Sequence, residues 1–542
     1  MVSEFRLSIA SIIIGPDDFM RSPSVSFQKN TFWIFLSLLT LGAMILCALV
    51  IFRYGAGVAS DSTKYLSVAQ SLLDGNGLVD HRGLPLLSWP PLYSITLAGL
   101  GLLTGLDVFV AGGYLNVFLL GLNLFLSGVI FRRAFSEKPL YAYLATLFVF
   151  LSISSLRIHS GISSDPLYLT LTLGFLVAVH GYITKRSYHA SAWMLLFSIL
   201  APLQRYVGLA VAVTAEVVIL VENRRSMKTF LRDGFVLGLF SIMPITWWLL
   251  VHNIMTYGSL WGTSGERTVD VLKNTELALT KMLHWFVPYI SFVTPILMRP
   301  LVILGVLALV LSLINRKNSG SGRSWIKAFT VPAIYPSMLH AVIYFAAVAL
   351  TIITDDHRDL FSDRYYVILL VPTAIFILIT FDTLIAPHLR SRPPQVGYVM
   401  VFALLLWIVY PLFSIQEYLV RASTEGEPSG FNMYNNRTYH EMDIVAEMEK
   451  LRVSQPDATF YSNYADAVWF YTRKPVSTLP LTDVPSPVEA YAGWPFDKPG
   501  YIIWFEPNEY KHYLSPIKIA EFASVELIYE GEGGKIYYVR SR

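Results

Sequence analysis

Apolar residues in this chain come in long unbroken blocks, with little strict alternation outside the last quarter. A helix rises about 1.5 Å per residue, so roughly 20 apolar residues cross the hydrocarbon of a bilayer. The first block runs from Phe32 to Phe52. Others follow at Tyr114–Phe131, Leu140–Leu156, Pro166–Ile183, Ala190–Leu203, Val207–Val221 and Phe235–Val251, then Ile296–Ile314, Ala333–Ile353, Tyr366–Ile385 and Gly397–Ser414. They predict about eleven transmembrane helices. Pro90–Leu103 is apolar but short and opens on Pro-Pro, which predicts a helix lying at the membrane interface. After Ser414 the texture changes. Val468–Tyr471, Tyr501–Phe505 and Ile536–Val539 read as short strands among Pro, Gly and Asn turns, and Glu441–Leu451 reads as a helix. The expected fold class is therefore a polytopic α-helical membrane protein over residues 1–414, with a first outward loop at 53–113. An extracytoplasmic soluble α/β domain is expected over 415–542.

Composition sharpens this picture. Of 542 residues, 54% are hydrophobic and 15% charged, against roughly 25% charged in ordinary globular chains. Gln416–Arg542 holds 12 basic and 18 acidic residues, whereas everything before holds 29 basic and 20 acidic. A small net charge summed over two such unlike regions does not point to nucleic acid. The single cysteine, Cys47, excludes an intrachain disulfide and lies in an apolar run. Asp17, Asp18 and Lys29 precede a first block too long for a cleaved leader, so that block reads as a signal anchor. Basic residues gather in alternate connections: Arg132, Arg133 and Lys138; Lys185 and Arg186; Arg224, Arg225, Lys228 and Arg232; Arg316, Lys317, Arg323 and Lys327; Arg390 and Arg392. Such loops face the cytoplasm. The remaining long loops, 55–113, 255–288 and 354–363, face outward with the C-terminal domain. The expected location is the cell membrane, multi-pass, with a cytoplasmic N-terminus.

Candidate chemistry concentrates in the first outward loop. Ala59-Ser60-Asp61-Ser62-Thr63-Lys64-Tyr65 leads into an amphipathic helix closed by Gly75 and Gly77, and Trp89-Pro90-Pro91-Leu92-Tyr93 follows. Asp61 alone also suits a helix N-cap. Ser164-Asp165-Pro166-Leu167 opens the fourth span, where Asp before Pro equally suits a helix start. Leu203-Gln204-Arg205-Tyr206 and Asp363-Arg364-Tyr365-Tyr366 put cations at span boundaries, where ionisable groups are costly. Asp355-Asp356-His357, Asp359 and Asp363 offer oxygen ligands for a divalent cation, but a solvated acidic loop is the favoured reading. No cofactor is expected. Glu216 and His180 read as paired structural residues, and Asn436-Arg437-Thr438 is a weak glycosylation pattern.

Taken in order, these segments resemble the GT-C glycosyltransferases, with protein O-mannosyltransferases and lipid A aminoarabinose transferases as closest kin. The resemblance covers most of residues 30–415. It implies transfer of a monosaccharide from a polyprenyl-phosphate donor to an extracytoplasmic lipid, glycan or protein acceptor, with inversion. It implies Asp61 as general base, Asp165 as an auxiliary carboxylate, and Lys64, Arg205, Arg364 and Tyr365 at the donor phosphate. Two positions depart from the family pattern: Asp61-Ser62 stands for an Asp-Glu pair, and Trp89 for a Lys before Pro-Pro. Trp247-Trp248 lacks the Asp of the oligosaccharyltransferase Trp-Trp-Asp signature. A transporter or lipid flippase is the rival from another class, and a polymer ligase or oligosaccharide transferase differs only in donor size.

Overall fold

The computed structural model describes residues 25–259, 280, 282–286, 330–354, 363–390, 392–426, 434–484, 486, 490–491, 493–495, 498–506 and 512–542. Its contacts divide the chain into two compact units. One comprises Met1–Cys47, Val117–His159 and Ser164–Glu417; the other comprises Ala48–Asn116, Ser160–Ser163 and Tyr418–Arg542. The outward loop and the C-terminal segment thus fall in one unit, although more than three hundred residues separate them in sequence.

The first unit is helical. Its elements are drawn from α1 (Val25–Ile51), α4 (Val108–Ala134), α5 (Pro139–Phe150), α6 (Ile153–Ser160) and α7 (Asp165–Lys185). The chain continues through α8 (Tyr188–Gln204), α9 (Leu209–Glu222), α10 (Met227–Trp247), α11 (Tyr335–Thr354), α12 (Leu370–Thr380), α13 (Ala386–Arg390) and α14 (Pro394–Glu425). Among the described residues five helices are long and apolar enough to cross a membrane, or six if the bent pair α5–α6 is one span. That pair breaks by 46° near Ser152, where a single straight span was expected. The expected span at Ile296–Ile314 lies outside the described residues.

Burial in this unit is inverted relative to a soluble protein. Large apolar side chains such as Leu38, Phe235, Met243, Tyr398 and Phe413 point outward, while Asn123, Thr146, His159, Thr172, Ser198 and His340 are buried. Several of the inward polar groups find partners within the bundle, as a lipid surround favours. Asn123 Nδ2 donates to the Pro166 carbonyl at 3.0 Å, and Thr170 Oγ1 donates to Asn123 Oδ1 at 2.7 Å. Thr146, Ser198 and Thr214 donate back to carbonyls four residues earlier on their own helices. Cys47 is buried and its thiol reaches the His159 carbonyl at 3.5 Å, as expected of a small packing residue.

The second unit holds α2 (Ser60–Leu73), α3 (Leu92–Thr104) and the C-terminal elements. There, α15 (Arg437–Glu441) and α16 (Asp443–Ser454) precede a mixed sheet of order β2-β1-β3-β5-β4. The strands are β1 (Thr459–Ser462), β2 (Val476–Thr478), β3 (Gly500–Phe505), β4 (Ala523–Gly531) and β5 (Gly534–Ser541). β1 pairs parallel with β2 and β3, and β5 pairs antiparallel with β3 and β4. Leu479, Ile502, Leu514, Ile519 and Val539 form its apolar core.

Two strands were foreseen correctly and one was not. Val468–Tyr471 lies in a helix, α17 (Ala465–Thr472), rather than a strand. Every residue of α17 but Asp466 is buried. A short run apolar on all sides carries no periodicity to tell strand from buried helix. The expected interfacial helix at Pro90–Leu103 is α3, buried through Tyr93, Ser94 and Leu97 while Leu102 and Leu103 face outward. Asn436 serves as a helix cap, its side chain accepting from the Tyr439 amide.

Candidate functional site

Each unit contains one part of the expected chemistry. In the second unit the approach to Asp61 is held from two sides. The Gly57 amide donates to the Ser160 carbonyl at 2.8 Å, and the Ile162 amide returns to the Gly57 carbonyl at 2.8 Å. On the other side the Asn435 side chain accepts from the Val58 amide at 3.0 Å and donates to the carbonyls of Tyr54 and Ala56, both at 2.7 Å. The Tyr434 amide adds a bond to the Val58 carbonyl at 2.9 Å. With its backbone groups satisfied in this way, the segment cannot drift without breaking several bonds at once.

Helix α2 begins directly afterwards. Its N-cap is Ala59, whose amide donates to Ser62 Oγ at 3.0 Å, while that hydroxyl donates to the Ile162 carbonyl at 2.6 Å. Asp61 is the second helical residue and half-buried. It is not the N-cap, and the hydroxyl that satisfies the N-cap amide comes from Ser62, the third helical residue. Lys64 follows one turn later with its ammonium 4.4 Å from the Trp89 ring centre. Trp89, which precedes Pro90-Pro91, thus presents an aromatic face to a neighbouring cation.

In the first unit Asp165, Arg205, Arg364 and Tyr365 come together. Helix α8, with Pro202 inside it, ends at Arg205, whose backbone is extended (φ −152°, ψ 140°). A single 3-10 turn, Tyr206–Gly208, then leads into α9. A side chain at Gly208 would place its Cβ 2.1 Å from the Ala201 carbonyl oxygen, so this tight reversal requires glycine for space. The extended residue sends its guanidinium to Asp165, the first residue of α7, and the two form an ion pair. Gln204 Nε2 donates to the Ser164 carbonyl at 2.8 Å and ties the same two helix ends together.

The Arg205 guanidinium lies 5.4 Å from the Tyr365 ring centre, and Arg364 lies 5.0 Å from that same centre. Arg364 also donates to the Tyr365 hydroxyl at 3.0 Å, and Tyr344 donates its hydroxyl to the Tyr365 carbonyl at 2.9 Å. Asp165 is nearly fully buried, and its Oδ2 has no hydrogen-bond partner among the described residues. Tyr365 is thus the platform on which two cations from distant segments meet.

Some expected features lie elsewhere. Residues 355–362, which include Asp355, Asp356, His357 and Asp359, are outside the described residues, as is the side chain of Asp363. Among the described residues no group of three or more His, Cys, Asp or Glu is arranged to hold a metal ion. The residues that escaped sequence reading are Asn435, Ser160–Ile162, His81 and Asp466, which brace backbone or side chains and belong to no motif.

No protein-family model and no curated protein matches the chain. Solved structures do. ArnT from Cupriavidus metallidurans in the apo state superposes with a TM-score of 0.56 at 15% identity, covering 94% of this chain and 98% of that one. The same protein bound to undecaprenyl phosphate gives 0.58 at 13% identity with the same coverage. The Archaeoglobus fulgidus oligosaccharyltransferase gives 0.50 at 11% identity, covering 88% and 69%. The fold of this chain is that of the GT-C glycosyltransferases.

Proposed function

We propose that this protein is a glycosyltransferase of the membrane that takes a monosaccharide from a polyprenyl phosphate and passes it to an acceptor outside the cytoplasm. The observation that carries the reading is the meeting of Arg205 and Arg364 on the Tyr365 ring beside Asp165. Two guanidinium groups beside one aromatic ring at span ends suit an anion, and a lipid phosphate arrives at that depth. ArnT, which shares the fold, has been captured with undecaprenyl phosphate. In the proposed reaction an acceptor hydroxyl attacks the anomeric carbon and Asp61 takes its proton. The bond from sugar to phosphate oxygen breaks with inversion, and the polyprenyl phosphate leaves with the electron pair. Arg205, Arg364 and Lys64 stabilise the charge that develops there, Tyr365 aligns the two arginines, and Asp165 orients Arg205. No cofactor takes part. The sugar is a hexose or pentose, and the acceptor a lipid, glycan or protein.

The test supplies radiolabelled polyprenyl-phosphate monosaccharides to membranes containing the protein and follows label into lipid, glycan and protein. Labelled product that depends on the protein is the expected result. Uptake of label without any new glycosidic product would favour a transporter instead.

The proposal also places the protein in the cell membrane with a cytoplasmic N-terminus and the C-terminal segment outside. With Cys47 buried, a cysteine at exposed Ser454 should react with an impermeant maleimide on intact cells, and one at exposed Ser226 should not. The reverse pattern would refute this orientation.

A further inference from the structure

Beside the Asp61 helix, within the same unit, sits a polar cluster that the proposed chemistry does not use. Asp466, in the first turn of α17, accepts a hydrogen bond from Ser60 Oγ at 2.5 Å. Its other oxygen lies 3.1 Å from His81 Nε2. That contact has the distance of an ion pair but falls off the line of a well-directed hydrogen bond. The His81 side chain is completely buried, and its Nδ1 has no partner among the described residues. Its main chain is tied on both sides. The His81 amide meets Ser67 Oγ of α2 at 3.2 Å, and its carbonyl accepts from the Val476 amide at the start of β2 at 3.0 Å.

Serine, aspartate and histidine together invite comparison with a hydrolase triad, but the order excludes it. A nucleophilic serine needs the imidazole as its neighbour and the carboxylate behind that. Here the carboxylate is in the middle and Ser60 bonds to it directly. A carboxylate holding a hydroxyl on one oxygen and an imidazole on the other is a brace. It reaches from the C-terminal segment to the first residue of α2 and to the Asp80–Gly83 turn within the outward loop.

We propose that Asp466 is a positioning residue that fixes the start of α2, and with it the adjacent Asp61, so that the C-terminal segment builds part of the outward loop. This inference rests on Asp61 being the base. Ser60 immediately precedes Asp61, so a change in the backbone angles at Ser60 moves the carboxylate directly. Burial is the largest influence on Asp466 and works against its ionisation. The adjacent His81 imidazole, the Ser60 hydroxyl and the Lys64 ammonium together outweigh it and hold the carboxyl below the ordinary aspartate range. The brace is therefore a carboxylate at neutral pH, and charge-assisted bonds of this kind are the stronger ones.

The test uses the full chain in lipid vesicles with Ser60→Ala, Asp466→Ala and both together. Turnover at saturating donor should fall about tenfold for Ser60→Ala and about ten- to a hundredfold for Asp466→Ala, as for a small misplacement of a reacting group. The double variant should be no worse than Asp466→Ala, and KM for the donor should stay within about threefold. Adding Asp466→Ala to Asp61→Asn should cost no further activity, because the brace acts through Asp61; a purely structural role would lower activity in both backgrounds. Independently of activity, amide exchange across residues 60–66 should speed up by about tenfold in Asp466→Ala while β3 and β5 stay protected. Unchanged exchange there, or full turnover by Ser60→Ala, overturns the inference. An Asp61→Asn protein as active as the unsubstituted one refutes the base assignment instead.

Discussion

Asp61→Asn is expected to lower turnover by roughly two to four decades while donor affinity stays close to that of the unsubstituted protein. The amide keeps the size and shape of the side chain and removes its capacity to accept a proton. The helix should tolerate the change, since Ser62 and not Asp61 completes the N-terminus of α2. What the helix loses is one favourable charge at the positive end of its dipole, worth about 0.3–1 kcal/mol at a partly exposed site. The melting temperature should therefore move by only a few degrees. A large loss of stability with a proportional loss of activity would mean that Asp61 is structural. Unimpaired turnover would mean that another group takes the proton.

Arg205→Ala should damage both stability and donor binding, and a second variant can separate the two. The arginine is the charge partner of Asp165, whose side chain is only 4% exposed. Removing one member of such a buried pair typically costs about 3–5 kcal/mol, because the other charge is left uncompensated. Donor affinity should fall by roughly ten- to a hundredfold with the loss of a charge-assisted phosphate contact. Replacing the pair together, Asp165→Asn with Arg205→Gln, removes both charges and should restore most of the melting temperature. Donor affinity should not recover. Binding of undecaprenyl phosphate by the two solubilised variants decides the matter. If the neutral pair binds the lipid as well as the native pair does, Arg205 serves only to hold two helices together.

The ends of spans told more in the sequence than their middles. Asp165, Arg205 and Arg364 stood out because a charge beside an apolar block has few structural reasons to be there. That Arg205 pairs with Asp165 was not legible. The partners are 40 residues apart, and the pairing depends on an extended backbone at the end of α8. Lys64 and Asp61 were visible in their loop, and the alternative reading of Asp61 as the N-cap gives way to Ala59. Ser62, which accepts from the Ala59 amide, also donates to the Ile162 carbonyl 100 positions away. The break between α5 and α6 escaped because hydropathy sums over a window and does not register a bend. His81 sits in Asp80-His81-Arg82-Gly83, which belongs to no motif. Asp466 precedes a run that resembled a strand. Neither had a local signal, since each acts on a segment remote in the chain.

The Asn435 bonds have a consequence for how the protein is made. The Val58 amide and the side chain that satisfies it are separated by 377 residues. Translation at roughly 5–20 residues per second leaves about 20–75 s between the emergence of the two. Throughout that interval the Gly57–Ser62 segment has been synthesised but lacks Asn435, Tyr434 and Asp466. The outward loop therefore matures last although it is made among the first, and a chain cut short before Asn435 would carry Asp61 and Lys64 in a loop that never sets.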